Sequence, residues 1–156
     1  MKNSSLLTFA ELATWRQTLA PHSRLVLTNG CFDLLHVGHV RYLQAARKLG
    51  DLLLVGINSD ASVRGLKGPE RPINTESDRA ELIAALACVD YVSIFDQATA
   101  DELIAAASPA VYAKAGDYSL ETLPERDTLV RLGIKAVFLP FVSGYSTTAT
   151  LGKMAG

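Results

Sequence analysis

The sequence has few of the features that mark secreted, membrane-bound or nucleic-acid-binding proteins. Its 156 residues include two cysteines, Cys31 and Cys88, so no disulfide framework is expected and a reducing cytosol fits. The N-terminus lacks the apolar run of a signal peptide, and no stretch approaches the roughly 18 apolar residues of a membrane span. The formal net charge of −1 provides no generally basic surface for nucleic-acid phosphates. We therefore expect a cytoplasmic protein that binds neither nucleic acid nor a membrane.

Two familiar phosphate-binding patterns are also missing. No G-x-G-x-x-G follows the first predicted strand, and G-x-x-x-x-G-K-[ST] occurs nowhere in the chain. The Gly152-Lys153 pair lacks both the partner glycine and the following hydroxyl residue. A dinucleotide-binding dehydrogenase and a P-loop enzyme therefore lose their main support.

Short apolar runs alternate along the chain with segments of helical periodicity. Strands are predicted over 24–28, 52–57, 91–95, 110–113 and 135–139, and helices over 8–20, 38–49, 76–87, 99–107, 125–132 and from about 146. Because the strands are short and apolar, they fit a buried parallel sheet covered by helices on both faces. The pattern predicts a single α/β domain, residues 23–156, with a mostly parallel sheet of about five strands. Residues 1–22 are predicted to form an accessory helix.

Ligands of such sheets bind beyond the carboxyl ends of the strands. Polar or glycine-containing segments follow predicted strands at 29–39, 114–118 and 140–148, and the loop 64–74 is a fourth candidate. In the first segment, His36 and His39 lie three residues apart where a helix begins, on either side of Gly38. A helix N-terminus attracts phosphate, and histidines there can donate hydrogen bonds to its oxygens. Spacing alone equally allows a structural pair, and half of a zinc site is a weaker alternative because no cluster completes it.

The stretch Asn29-Gly30-Cys31-Phe32-Asp33-x-x-His36-x-Gly38-His39 resembles the H-x-G-H motif of cytidylyltransferase-like nucleotidyltransferases. Further segments follow in the order that the resemblance requires: 58–63, 66–69, 71–74, 78–79, 89–92, 114–118 and 144–148. Over residues 24–152 the chain resembles D-glycero-D-manno-heptose 1-phosphate adenylyltransferases, which occur alone or as the C-terminal half of a bifunctional kinase/adenylyltransferase. The resemblance implies a Rossmann-like nucleotidyltransferase domain.

The resemblance also implies a reaction. The sugar 1-phosphate would attack the α-phosphorus of ATP, pyrophosphate would leave, and the product would be an ADP-heptose for the lipopolysaccharide core. No covalent enzyme intermediate is implied. Mg²⁺ would accompany ATP and be held mainly by phosphates, without a protein metal ligand that we can name. Members of the family are commonly homodimers or larger homo-oligomers.

Roles for individual residues follow from their match to the family. The resemblance implies catalytic roles for His36, His39 and Lys67, with Lys67 in a mobile loop. Nucleotide contacts are implied for Cys31, Phe32, Gly38, Lys114, Gly116, Asp117, Ser146, Thr147 and Thr148. Acceptor contacts are implied for Asp33, Asn58 and Arg71, and Asp33 could instead orient a histidine or cap the coming helix. Arg79 is expected to be an ion-pair partner or an oligomer contact.

The sequence departs from its relatives at two positions. Ala115 stands where related adenylyltransferases usually carry glycine, so its methyl group could tighten the pocket or change the backbone dihedral angles of the loop. Phe141 stands where glycerol-phosphate cytidylyltransferases carry an arginine, which favours the heptose-type interpretation. A cytidylyltransferase or adenylyltransferase acting on another phosphorylated acceptor is the alternative.

Overall fold

The computed structural model describes residues 5–140 and 144–156, and its centre is a parallel β-sheet. The strands are Ser5–Leu7 (β1), Leu25–Gly30 (β2), Leu52–Asn58 (β3), Tyr91–Phe95 (β4), Val111–Ala115 (β5) and Lys135–Leu139 (β6). They are ordered β1-β4-β3-β2-β5-β6, and every pairing is parallel. The predicted α/β fold is confirmed, with one strand more than expected. Because β1 has three residues, it is too short to show a strand period in the sequence.

Helices cover both faces of the sheet, as predicted. They are Leu12–Thr18 (α1), Val37–Arg47 (α2), Asp60–Lys67 (α3), Glu76–Ala84 (α4), Asp101–Ala107 (α5), Arg126–Leu132 (α6) and Thr147–Ala155 (α7). α3 was not predicted. Its N-cap is Ser59, whose hydroxyl accepts a hydrogen bond from the Ser62 N–H, a local signal that the sequence carries. Among the described residues, no helix has the length and apolar character that crossing a bilayer requires.

The strands divide their side chains between two cores. On β2, Val26 packs with the α2 and α4 side, whereas Leu25 and Leu27 pack with α1, α5 and α6. This alternation follows from the two-residue period of a strand, and all three side chains are fully buried. Burial on both faces explains why the strands are continuous apolar runs.

The N-terminal segment packs against the rest of the domain. Thr8 donates its backbone N–H to the Glu11 carboxylate over 2.8 Å and opens a 3₁₀ turn over Phe9–Glu11, which leads into α1. Leu12 is fully buried, and Arg16 Nε donates to the Ser108 carbonyl over 3.1 Å. A domain boundary near residue 22 remains a prediction.

The strand order creates a crevice at one edge of the sheet. From β2 the chain builds outward through β3 and β4 on one side, and through β5 and β6 on the other. The connections that leave β2 and β5 therefore diverge beyond their carboxyl ends, where ligands of open parallel sheets bind. This crevice places segment 29–39 beside segments 114–118 and 144–148.

Candidate active site

A cleft with three adjoining lobes lies at the carboxyl edge of the sheet. The central lobe, about 360 Å³, is lined by residues that include Cys31, His39, Arg71 and Lys114. The α7 lobe, about 240 Å³, adds His36 and 146–148, and the α6 lobe, about 410 Å³, adds Asn58 and Glu125. Lys67 lines all three lobes. The cleft thus collects most of the residues that the sequence singled out.

His36 and His39 form a reciprocal pair at the start of α2. His36 is the N-cap residue, and its Nδ1 accepts a hydrogen bond from the His39 N–H at 3.4 Å. His39 Nδ1 accepts in turn from the His36 N–H at 3.3 Å, and the two rings stack with centroids 3.8 Å apart. The spacing therefore brings both imidazoles to one side of the turn, as the sequence suggested.

The two imidazoles are held in their neutral forms. Burial lowers the pKa of His36, and burial together with the His36 and Lys67 charges lowers the pKa of His39 to about 4. Since both Nδ1 atoms accept hydrogen bonds, each neutral ring carries its hydrogen on Nε2. The pair therefore supplies two Nε2–H donors beside the N-terminus of a helix.

Gly38 is required by close packing. A Cβ atom at this position would lie 2.8 Å from Tyr145 Cβ and 2.9 Å from both Cε1 and Nδ1 of His36. The space beside Gly38 is therefore occupied by the His36 ring and by Tyr145. Gly38 also lines the α7 lobe, and the nucleotide contact implied for it remains a prediction.

Asp33 joins the segment after β2 to the segment before α4. It is 1% exposed, and its carboxylate accepts from Arg71 Nε at 2.6 Å and from the backbone N–H groups of Ile73 and Asn74. Burial opposes ionisation, but the hydrogen bonds from Asn74, Ile73 and Arg71 outweigh it and lower the pKa of Asp33. Its oxygens are therefore committed to protein donors and contact neither histidine.

Arg71 is fixed at one nitrogen and has another without a partner. Its Nε binds Asp33, while its buried Nη2 has no hydrogen-bond partner within 5–140 or 144–156. Because Arg71 lines the central lobe, an anion there can complete its hydrogen bonding.

Lys67 does not lie in a loop, which corrects the prediction. It is the last residue of α3, and Gly68, with φ of +102°, ends the helix. The Gly-Leu-Lys-Gly-Pro sequence suggested a break too early, because Gly65 is accommodated inside the last turn. The exposed side chain of Lys67 is thus carried by a helix end over the cleft.

Cys31 and Phe32 shape the floor of the cleft. Phe32 adopts φ of +48°, is buried, and contacts the His39 ring edge-on with centroids 5.3 Å apart. Burial raises the pKa of the Cys31 thiol, which keeps it protonated and poorly nucleophilic.

Arg79 organises the backbone behind the cleft. Its side chain is fully buried and donates to the carbonyls of Asn74, Cys31 and Asn58 and to the Asp60 carboxylate. The predicted ion-pair role is confirmed, but the role of Arg79 in joining three segments was missed. Its place beside Ala80 and Ile83 on the buried face of α4 is the signal that could have shown it.

Asn58 is buried at the end of β3. Its Nδ2 donates to the Ser62 hydroxyl over 2.9 Å, and it lines the α6 lobe. The assignment of Asn58 to acceptor binding remains a prediction.

The end of β5 and the residues that follow it reach the cleft only in part. Lys114 lines the central and α6 lobes, and burial lowers its pKa. Ala115 lines the central and α7 lobes and does not adopt a positive φ, so its backbone conformation does not require a glycine. Gly116, with φ of +105°, and the exposed Asp117 line none of the three lobes.

The start of α7 combines capping with access to the cleft. Ser146 Oγ accepts from the Ala149 N–H over 2.9 Å, and Ser146, Thr147 and Thr148 all line the α7 lobe. Phe141 lies outside the described residues.

Two tyrosines that the sequence analysis missed support the floor of the cleft. Tyr42 binds Thr28 and the Ala113 carbonyl, which bridges β2 and β5, and burial raises its pKa to about 12. Tyr112 donates its hydroxyl to Asn29 Oδ1. No group of three potential metal ligands among His, Cys, Asp and Glu occurs in the described part of the chain.

Several curated proteins are similar to this chain in sequence. Bifunctional protein HldE of Trichlorobacter lovleyi is 53% identical over 131 residues, which are 84% of this chain and 27% of that protein. The HldE of Pelobacter propionicus is 56% identical over 131 residues, again 84% and 27%. The chain therefore spans about a quarter of the length of these curated relatives.

Solved structures and a family model are also similar to this chain. The lipopolysaccharide core biosynthesis protein from Thermoplasma volcanium superposes with a TM-score of 0.64 at 28% identity, covering 80% of this chain and 99% of that one. Pantothenate synthetase from Thermus thermophilus shares the fold, with a TM-score of 0.59 at 18% identity over 88% and 62% of the chains. The family model described as Cytidylyltransferase-like matches residues 27–149. The chain belongs to the cytidylyltransferase-like family.

Proposed function

We propose that this chain transfers an adenylyl group from ATP to a sugar 1-phosphate, D-glycero-D-manno-heptose 1-phosphate, and releases pyrophosphate. The product is an ADP-heptose used in lipopolysaccharide core synthesis. The observation that carries the proposal is the stacked pair of neutral histidines, His36 and His39, opening onto the same cleft as Lys67. The similarity to HldE proteins and to a lipopolysaccharide core biosynthesis protein supports the choice of acceptor.

The chemistry follows from the donors that the cleft presents. The Nε2–H groups of His36 and His39 bind phosphate oxygens of the triphosphate next to the α2 N-terminus, where a partial positive charge also acts. As the acceptor phosphate attacks the α-phosphorus and pyrophosphate leaves, negative charge grows on these oxygens. Donors fixed before the reaction stabilise that charge without reorganising, and Lys67 adds a full positive charge.

The transfer is direct. The Cys31 thiol is held protonated by burial, and no serine or cysteine among the described residues that line the cleft is paired with a general base. Holding the two phosphates in line is then the main contribution of the protein, together with charge stabilisation.

The acceptor phosphate is proposed to bind Arg71. Its buried Nη2 has no hydrogen-bond partner among the described residues, Arg71 lines the central lobe, and Asp33 fixes the guanidinium orientation. We therefore propose Asp33 as a positioning residue that acts through Arg71. Ser146, Thr147 and Thr148 are proposed to contact the nucleotide from the α7 lobe, and Cys31, Phe32 and Lys114 are proposed to contact it from the central lobe. The nucleotide roles of Gly116 and Asp117 remain predictions.

Mg²⁺ is proposed to enter with ATP, bound by the phosphate oxygens. The carboxylate of Asp33 is occupied by protein donors, and the described residues contain no cluster of three potential ligands. A protein-held metal does not fit this donor set, so every step above rests on side chains. We further propose a cytoplasmic location, where ATP is available and the free thiols of Cys31 and Cys88 stay reduced. We also propose that the chain forms a homodimer or a larger homo-oligomer, which a molar mass from light scattering tests.

The test is release of pyrophosphate with ATP or CTP and a panel of phosphorylated acceptors. The expected result is turnover with ATP and the heptose 1-phosphate. Turnover with CTP alone would exclude adenylyl transfer. Tight binding of ATP without turnover for any acceptor would indicate a nucleotide-binding regulatory module instead.

A further inference from the structure

The part of the α6 lobe around Glu125 has no role in the steps described above. The polar residues of this lobe that matter here lie at the ends of β2, β3 and β5 and in the connections that lead to α5 and α6: Asn29, Asn58, Thr99, Lys114 and Glu125. Asn29 and Asn58 are otherwise tied to Tyr112 and Ser62, and Thr99 donates to Asp101. Glu125 differs from them because part of its hydrogen-bonding capacity is unused.

Glu125 is a buried carboxylate with one free oxygen. The residue is 4% exposed, and its Oε1 accepts from the Ala100 N–H at 3.0 Å. Its buried Oε2 has no hydrogen-bond partner in the described part of the chain. Burial lowers the pKa of Lys114 and the Glu125 carboxylate offsets only part of that lowering; no ion pair within 4 Å joins these two side chains in the described residues. An unsatisfied buried acceptor is costly, so a donor is expected to reach it when the site is filled.

The central lobe lies between the α7 lobe and the α6 lobe. The central and α7 lobes share His39, Tyr42, Ala115 and Thr147 in addition to Lys67, and the central and α6 lobes share Cys31, Lys114 and other residues. The α7 and α6 lobes have Lys67 alone in common. The reacting phosphates near Lys67 therefore separate two binding spaces. If the nucleoside occupies the α7 lobe, the remaining part of the acceptor occupies the α6 lobe.

We propose that the α6 lobe binds the hydroxyl-bearing ring of the acceptor, and that Glu125 Oε2 accepts hydrogen bonds from its hydroxyl groups. This inference rests on the proposed function. A carboxylate repels phosphate but accepts well from neighbouring hydroxyls, so it selects a polyol over a second anion. Glu125 thereby determines specificity for a sugar 1-phosphate over a phosphorylated acceptor without hydroxyls.

The substitution Glu125→Gln tests the proposal at one atom. The glutamine oxygen can keep the Ala100 hydrogen bond, while an NH₂ donor replaces the accepting Oε2. We expect kcat/KM for the sugar 1-phosphate to fall about tenfold or more, since a charged acceptor is lost, with the KM for ATP within about twofold. The matched control is Glu121→Gln, which removes the same charge from an exposed position and should leave both constants unchanged.

Deoxy analogues of the sugar 1-phosphate sharpen the test. The wild type should lose activity with the analogue that lacks the bound hydroxyl, and Glu125→Gln should no longer distinguish it from the parent sugar. If Glu125→Gln is poorly folded by thermal unfolding, Ala98→Leu serves instead. Ala98 is exposed and lines the same lobe, so the larger side chain should block the acceptor and spare ATP.

Each failure has a distinct signature. An increase in the KM for ATP alone would place the nucleoside in the α6 lobe and overturn the inference. Unchanged kinetics in Glu125→Gln and in Ala98→Leu would also overturn the inference, and water would then be the partner of Oε2. The proposed function would stand in that case. If the wild type turns over no sugar 1-phosphate, the proposed function fails. Calorimetric measurement of sugar 1-phosphate binding then tests the inference about Glu125 by itself. The inference is overturned if wild type and Glu125→Gln bind the sugar 1-phosphate equally, or if neither binds it.

Discussion

The imidazole rings of His36 and His39 stack 3.8 Å apart, and each Nδ1 accepts the backbone N–H of the other residue. The arrangement is a capping box built from two histidines, since His36 is the N-cap and His39 the N3 residue. The same two hydrogen bonds cap the first turn of α2 and determine the tautomer of each imidazole ring. A proton on either Nδ1 would break one of these bonds and place a cation against its neighbour.

The stability of the domain should therefore fall in mild acid. The pKa of His39 is lowered to about 4, whereas a histidine in the unfolded chain titrates near 6.5, so the unfolded state takes up the proton first. The free energy of unfolding should drop as the pH falls between these two values; because the side chain is only partly buried, solvent screening limits the drop to about 1–2 kcal/mol. Urea unfolding of wild type and His39→Asn at several pH values in this range measures the effect. The free energy of unfolding should drop less in the variant than in the wild type. An equal drop in both proteins would contradict the prediction.

The histidine pair should matter more for turnover than for folding. His36→Asn keeps a side chain that caps helices well but removes the Nε2–H donor, so kcat should fall by orders of magnitude. Thermal unfolding should change little. His22, the third histidine, is exposed, and His22→Asn is the matched control, expected to leave kcat unchanged. Loss of folding in His36→Asn would support a purely structural pair.

Local patterns predicted the fold, the histidine pair and the start of α7, because these depend on periodicity and on residues a few positions apart. α3 was missed because Gly65 and the Gly68-Pro69 pair outweighed the cap at Ser59. The partners of Arg79 and Glu125 could not be found in this way. Arg79 is satisfied by carbonyls 48 and 21 residues away, and Glu125 by an N–H 25 residues away. The helix period can indicate that Arg79 is buried, but it cannot identify partners so distant in the sequence.

Lys67 should act on turnover through its charge. Lys67→Met keeps a flexible side chain at the end of α3 and removes the cation that faces all three lobes, so kcat should fall at least about tenfold. Arg64→Met is the matched control, since Arg64 is exposed on the preceding turn and lines none of these lobes. Equal losses in both variants would indicate a general effect of helix charge.

Arg79 should be essential for stability. Arg79→Met leaves the Asp60 carboxylate and three carbonyl groups without their donor, so the free energy of unfolding should fall by about 3 kcal/mol or more. Arg126→Met removes a side chain that is 53% exposed and should change it by less than about 0.5 kcal/mol. Denaturant unfolding of both variants measures the difference. A loss below about 1 kcal/mol in Arg79→Met would show that the buried network is not cooperative.

Gly38 and Gly65 form a matched pair for the last prediction. In Gly38→Ala the new methyl group would meet Tyr145 Cβ at 2.8 Å and the His36 ring at 2.9 Å, so one of them must move. Displacing the His36 ring should lower kcat about tenfold or more, because transition-state donors depend on their position. In Gly65→Ala the methyl group meets nothing within 4 Å and lies inside α3, so the domain should gain about 0.5–1 kcal/mol and keep its kcat. Steady-state kinetics and thermal unfolding of both variants separate crowding at the histidines from the general effect of adding a methyl group. Unchanged kcat in Gly38→Ala would show that the His36 position is not critical for turnover.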